Sequence, residues 1–439
     1  MTEPWFDELA ELLRIPSISA DPARADDVQE AASWVRDFVR GAGGDCGIVD
    51  WSGQPLVIGE LTASGGGDAP TVLCYGHFDV QPPDPLELWD SPPFEPAVRG
   101  EYLYGRGTVD DKGQLYLLLS AARELARAGE LPVNVRFCCD GEEESGGNSI
   151  VEFIQADDRG ADAAVIFDSG MIRRDVPAFN VATRGIAYFH VVVRTGERDL
   201  HSGVYGGAAL NAAHVLVQAL GGLIARDGML AEPLRQGIAA PTDEELRSWA
   251  DLPSGVDELT EAGARPKDPR AADDFYVRTF AEPSLDVNGI VSGSPHLQKT
   301  VLPVEAAANV SIRLAPGQQV DVIAPEVERL LRASLPAGAE VSVDNVSSAR
   351  PGLVPADSRA ISLGLDAFER ALGRRPLLVR SGGTLPIVPA LSDKGIPVVI
   401  TGFGLPDSQI HSPNERLVAE YVPKGIDAAR ELFLAFAAL

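Results

Sequence analysis

Two of the six histidines in this 439-residue chain stand where chemistry could use them. His77 closes the apolar run "TVLCYG" and is followed two residues later by Asp79, while His411 stands in "QIHSPNE". Carboxylates gather at similar points: Glu142, Glu143 and Glu144 in "CDGEEESGG", Asp168 in "IFDSG", Asp110 and Asp111 in "LYGRGTVDDKGQ". Each has a plain structural explanation when taken alone. A histidine after a strand can be a hydrogen-bonded core residue, an acid before a helix is commonly a cap, and a glutamate run is commonly solvated. Together, two histidines and four or five carboxylates make the donor set of a two-metal hydrolytic site. No CxxC pair competes for a metal, and no G-x-S-x-G elbow or phosphate-binding loop offers other chemistry.

Such donors need rigid supports. "PLVIGEL" (55–61), "TVLCYG" (71–76), "VNVRFCCD" (133–140) and "AAVIFD" (163–168) read as buried strands. "DDVQEAASWVRDFVRGAGG" and "QLYLLLSAARELARAGE" read as helices between them, the first with acidic residues at its start and a glycine stop. Strands alternating with helices predict an α/β layer, and in such sheets ligands sit beyond the carboxyl ends of strands. His77, the glutamate run and Asp168 all follow strand ends. "IAYFHVVVRT" (186–195) and "AAANVSIRLA" (306–315) read as strands of a different neighbourhood, flanking the helix "ALNAAHVLVQALGGLI". Between them, a polar stretch from Arg226 to about Ala281 reads as loops and short helices. The α/β pattern resumes at Asp357 with a helix, the strand "IPVVIT" and a last helix from Pro423. The expected organisation is an α/β domain over 1–184 and 351–439, a mixed sheet flanked by helices. A smaller α+β domain over 185–350 interrupts it.

Composition narrows the function classes. Hydrophobic residues make up 45% and charged residues 23%, as in ordinary globular proteins. A net charge of −27 leaves no basic surplus to displace counterions from nucleic acid. No apolar run is long enough to span a bilayer, and the first residues lack a signal-peptide pattern. The four cysteines form no disulfide framework, so a cytoplasmic setting is expected.

At this point the chain becomes recognisable. "GHFDVQPP", "PPFEP", "LYGRGTVDDKGQ", "GEEESGG", "TRGI", "DLHSGVYGG", "KTVLP", "SIRLAP" and "HSPNE" follow one another in the order of a known family. The chain resembles the co-catalytic metallopeptidases that include carnosinases, cytosolic non-specific dipeptidases, glutamate carboxypeptidase, and acetylornithine and succinyl-diaminopimelate deacylases. "DLHSGVYGG" with "TRGI" points to the dipeptidase branch. One motif departs: the branch's "EGMEESG" reads "CDGEEESGG" here, so the glutamates are placed by their distance from Ser145 and Gly146.

The resemblance implies that His77, Asp110 and Asp168 hold one divalent ion, and that Asp110, Glu144 and His411 hold a second. Asp110 would bridge, and such ligands suit Zn²⁺ most, with Mn²⁺ or Co²⁺ also accommodated. Asp79 would accept the other ring N–H of His77 and so orient it. Glu143 would be the general base for a water activated by both ions, leaving Glu142 to solvent. In the inserted domain, His201 would donate to the developing oxyanion and Arg313 would fork a substrate carboxylate. Thr300, Gly383 and Thr384 would complete that pocket, and His190, His214 and His296 would have no role. The resemblance also implies a cis peptide between Asp110 and Asp111, and a homodimer formed through the inserted lid domain with His201 serving the partner's metals. The expected activity is cleavage of dipeptides or short peptides with a free C-terminal carboxylate. N-acyl amino acid deacylation on the same site is the alternative, and a non-catalytic binding protein on a peptidase fold the remote one.

Overall fold

The computed structural model describes residues 4–66, 68–225, 228–294 and 296–439. Arg226, where the expected polar stretch begins, lies outside them. The strand Thr71–His77 is buried along nearly its whole length, and pairs in parallel with Asn134–Asp140 on one side and Ala163–Phe167 on the other. Val398–Thr401 continues the parallel set beyond Ala163–Phe167. Leu56–Leu61 and then Asp45–Val49 extend the sheet antiparallel beyond Asn134–Asp140. Ala178–Thr183 joins through Ile400 and Asn180, which makes the sheet mixed.

Strands buried on both faces need helices on both faces. Lys112–Ala128 packs against Thr71–His77 and against the last helix, Tyr421–Phe436, which in turn packs on Arg359–Leu372. Ala25–Gly41 lies against the two antiparallel strands. The Lys112 helix stops at Gly129, whose φ of 72° gives the left-handed cap that glycine adopts without strain.

The chain divides into two compact units, one of Met1–Val181, Val354–Val379 and Ala390–Leu439, the other of Ala182–Leu353 and Arg380–Pro389. In the second unit, Ser284–Val291, Glu305–Leu314, Gly185–Arg194 and Glu340–Ala349 form an antiparallel sheet in that order. Residues along Gly185–Arg194 alternate between buried and partly exposed, the signature of a sheet covered on one face. The covering helices are Ala212–Leu223 and Val320–Ala333, and Phe189, Val191, Leu216, Val310 and Val327 lie in the core between them and the sheet. Within the polar stretch, Asp243–Trp249 and Gly255–Glu261 are short helices begun by Thr242 and Ser254 caps.

Arg380–Pro389 belongs with this second unit, although the sequence pattern groups it with the flanking α/β domain. The reason is local. Arg380 is buried, donates to the carbonyls of Ala239 and Ala240 and pairs with Glu245, while the Arg184 amide bonds the carbonyls of Ser381 and Gly383.

Candidate metal centre

The carboxyl ends of the parallel strands deliver the chemistry of the first unit. His77 is the last residue of its strand and is fully buried. Its amide donates to Asp111 Oδ2 at 3.1 Å. That carboxylate lies so close to the strand that a Cβ on Gly76 would sit 2.8 Å from the same oxygen. The Asp110–Asp111 peptide is cis, as the motif implied. Asp140 ends the neighbouring strand, and a single 3₁₀ turn, Glu143–Ser145, carries Glu143 and Glu144.

Asp110 sits between both histidines. Its Oδ1 is 3.0 Å from His77 Nε2, and its Oδ2 is 2.9 Å from His411 Nε2. His411 Nε2 is also 3.1 Å from Glu144 Oε2. Ligand atoms of His77, Asp110 and Glu144 all lie within 4.8 Å of one another. Asp168 is half-buried, outside that close group but within reach of its charges. Burial, reinforced by the negative charges of Asp110, Glu143 and Glu144, pushes its carboxyl well above the usual range against the pull of His77.

A test of fit follows from the imidazoles. His77 Nδ1 is 3.1 Å from the carbonyl oxygen of Asp79 and 3.3 Å from its Oδ1, so the neutral ring carries its hydrogen on Nδ1. Nε2 then turns a lone pair toward a carboxylate, an arrangement that needs a proton or a cation between them. Without a cation, burial opposes protonation of His77, but Asp110 and Asp79 overcome it and hold the ring's pKa well above 6.5. Hydrogen bonds to Asp110 and Glu144 raise His411 to about 10. Glu144 Oε1 is buried with no hydrogen-bond partner among the described residues. Converging lone pairs and an orphaned carboxylate oxygen are what a divalent cation satisfies. The residues present fit one.

Asp79 does more than orient a ring. The hydrogen-bonded acceptor for His77 Nδ1 is its main-chain carbonyl, and its carboxylate Oδ2 accepts the Ser19 hydroxyl at 2.5 Å and the Glu144 amide at 3.1 Å. Glu142 corrects the sequence reading, because it is buried rather than solvated. Its two oxygens accept the amides of Gln54 at 2.8 Å and Ser149 at 2.9 Å, pinning the glutamate turn. Gln81 was also missed; its Nε2 donates to Glu144 Oε2 at 2.9 Å. Its place in "GHFDVQPP" was the only signal. The Glu143 carboxylate has no hydrogen-bond partner among the described residues, and burial lifts it to about 7. Glu144, Asp110 and Asp79 add to the rise, and His77 opposes it.

The remaining expected site residues lie in the second unit. Arg313 Nη1 donates to Thr384 Oγ1 at 3.1 Å, and that hydroxyl donates to the Arg184 carbonyl at 2.7 Å. The Gly383 amide donates to Ser381 Oγ at 3.0 Å. His201 pairs with Val301 on a short antiparallel ladder, next to Thr300, whose carbonyl accepts both the amide and the hydroxyl of Ser202. His201 Nδ1 accepts the Gly203 amide at 3.0 Å, so its neutral ring carries the proton on Nε2.

A mixed sheet whose parallel strand ends gather such donors defines a metal-dependent hydrolase. Comparison with known proteins then gives the family. The family model described as "Peptidase family M20/M25/M40" matches residues 73–435, and the chain belongs to that family. Among curated relatives, the Cys-Gly metallodipeptidase of Schizosaccharomyces pombe is 30% identical over 97% of this chain and 94% of the relative. The cysteinylglycine-S-conjugate dipeptidase of Corynebacterium striatum is 29% identical over 94% of this chain and 91% of that one. Among solved structures, human carnosine dipeptidase 1 is 27% identical with a TM-score of 0.77, covering 99% of this chain and 96% of that chain. The protein is a metallopeptidase of the dipeptidase branch.

Proposed function

We infer that the protein hydrolyses dipeptides bearing a free C-terminal carboxylate, with two divalent ions, zinc foremost, held by His77, Asp110, Asp168, Glu144 and His411. The observation that carries this reading is the convergence of both histidine Nε2 atoms on the two oxygens of Asp110. Bound ions supply Lewis acidity, acidifying water and polarising the scissile carbonyl. The chain's own groups do the rest. Glu143, whose carboxylate makes no hydrogen bond among the described residues and is raised by burial, takes a proton from the attacking water and returns it to the leaving amine. His201, with its proton on Nε2, donates to the oxyanion. Arg313, positioned by Thr384, binds the substrate carboxylate.

The working unit in this reading is a homodimer formed through the inserted domain, with His201 acting on the partner's metal-bearing unit. The setting is a reducing one such as the cytoplasm; all four cysteines are free and buried. No helix among the described residues is long and apolar enough to cross a membrane.

The test is a substrate panel of Cys-Gly, β-alanyl-histidine, tripeptides and N-acyl amino acids, run on metal-free protein and on protein loaded with Zn²⁺ or Mn²⁺. Metal-dependent cleavage with kcat/KM highest on dipeptides is expected. Preference for N-acyl amino acids would make the protein a deacylase, and no metal-dependent turnover on any member would remove the catalytic reading.

A further inference from the structure

Besides His411, the "HSPNE" turn carries an acidic residue, Glu415, to which no role attaches above. Its side chain is fully buried. Oε2 accepts from Arg106 Nη1 at 2.6 Å and from the Gly107 amide at 2.9 Å. Oε1 accepts from the Val109 amide at 2.9 Å and the Asp110 amide at 3.2 Å. Its own carbonyl accepts the Gly105 amide at 3.1 Å. One residue thus takes donors from almost every position of the Gly105–Asp110 loop, the loop that ends in Asp110.

Glu415 also closes the turn that presents His411. Gln409, His411 and Asn414 have φ values of 58°, 59° and 63°, a left-handed conformation that asparagine enters readily but that Gln409 and His411 keep only where their surroundings enforce it. The turn is tied down at its far end. Asn414 exchanges hydrogen bonds with the Asp90 amide and the Leu88 carbonyl, and Glu415 plugs the Gly105–Asp110 loop. The His411 side chain itself is half-exposed, and among the described residues its ring makes polar contacts only with Asp110 and Glu144.

We propose that Glu415 is a positioning residue for the metal centre, a buried carboxylate that sets the Asp110 loop and the His411 turn in one register. Two ligands some 300 positions apart are then fixed by the same group. The proposal rests on the metal reading above. The chemistry requires a carboxylate, because all four side-chain contacts are N–H or guanidinium donors and a carboxylate offers about four acceptor sites and no hydrogen. A carboxamide of the same shape would turn one end's hydrogens against the amides or against Arg106.

The experiment compares wild type, Glu415→Gln and, as a control for loss of stability, Glu245→Gln from the second unit. Cobalt(II) is the probe, read by competition with a chromophoric chelator and by the visible d–d spectrum. Expected for Glu415→Gln are cobalt binding at least tenfold weaker and an altered spectrum, since Asp110 and His411 no longer meet in register. Glu245→Gln should keep the wild-type spectrum. Unchanged affinity and spectrum in Glu415→Gln would overturn the proposal. A wild-type protein that takes up no cobalt would instead overturn the metal reading, and this proposal with it. Should Glu415→Gln fail to fold, hydrogen exchange on metal-free wild type decides. The Val109 and Asp110 amides lie outside any sheet or helix and should still be protected by Glu415. Exchange at the rate of an open loop would overturn the proposal.

Discussion

The carboxylate of Asp79 accepts the backbone N–H of Glu144 at 3.1 Å, joining the end of the His77 strand to the glutamate turn 65 residues later. The same residue's carbonyl faces His77 Nδ1. Asp79 therefore fixes one proposed ligand, His77, through its main chain and the backbone of another, Glu144, through its side chain. Asp79→Asn preserves volume but removes the charge; with its oxygen kept toward Ser19 and Glu144, which share Oδ2, its amide hydrogens would face the hydrogen on His77 Nδ1. Metal affinity should fall about 10- to 100-fold, the usual effect of losing a partner that orients ligands. Chelator competition against wild type measures it, and an affinity within twofold would count against this role.

Much of this site was legible because its parts lie at strand ends. A buried apolar run followed by a histidine, or by an acid, is visible in one dimension, and the parallel sheet then brings those ends together. Glu142 was not legible. A three-glutamate run looks solvated until the amides of Gln54 and Ser149, from distant parts of the chain, are seen to converge on its first member. Arg380 was misplaced for a related reason. It lies within the strand Leu377–Ser381, in the stretch grouped with the α/β domain, and its buried contacts with Glu245, Ala239 and Ala240 show that the following segment goes with the other unit. Periodicity reports which face of an element is buried, not which remote polar partner awaits it.

Glu143 directly precedes the proposed ligand Glu144, yet its carboxylate has no hydrogen-bond partner among the described residues, as suits the proposed proton exchange. Glu143→Ala should reduce kcat by at least a thousandfold while both ions stay bound, since none of the five proposed ligands is touched. Metal content by elemental analysis beside single-substrate kinetics makes the comparison. Near-normal kcat would remove Glu143 as the base, and lost metal would make it a ligand.

Arg313 pairs with no carboxylate among the described residues, and one of its nitrogens is already steadied by Thr384. A planar fork held in this way matches a substrate carboxylate through two parallel bonds, which an ammonium cannot reproduce. Arg313→Lys should lower kcat/KM on dipeptides at least tenfold. The loss should be much smaller on dipeptide amides, which lack the carboxylate. Equal losses on acid and amide substrates would show that Arg313 acts on something else.

The Arg380–Glu245 pair makes a pH-dependent contribution to stability. Burial alone would raise the Glu245 carboxyl, but the Arg380 guanidinium and the Thr242 cap outweigh it, and the folded value lies below 4.5. A group whose folded pKa is depressed stabilises the fold fully above its unfolded value, and that stability is lost as pH falls through the folded value. Removing one partner of a buried pair costs roughly 3–5 kcal/mol. Glu245→Gln should therefore unfold at lower urea than wild type at pH 7, with the gap narrowing as pH drops below about 4.5. A gap that does not change between pH 7 and pH 4 would contradict the assignment.

The last prediction concerns how His201 is used. Its Nδ1 is occupied by the Gly203 amide, so the neutral ring has one free donor, Nε2–H, suited to an oxyanion. His201 and the metal ligands belong to different units of the fold, and in the proposed homodimer His201 serves the partner's metals. Each active site would then draw Glu143 from one chain and His201 from the other. Glu143→Ala and His201→Ala homodimers should both be inactive. Mixed after reversible dissociation, they give a heterodimer with one site lacking both groups and one site complete. Activity should return toward one working site per mixed dimer, half the wild-type rate per dimer, and rise with the fraction of heterodimer measured by native mass spectrometry. If His201 instead served its own chain, every site in the mixture would lack one group. The heterodimer would then be as inactive as its parents.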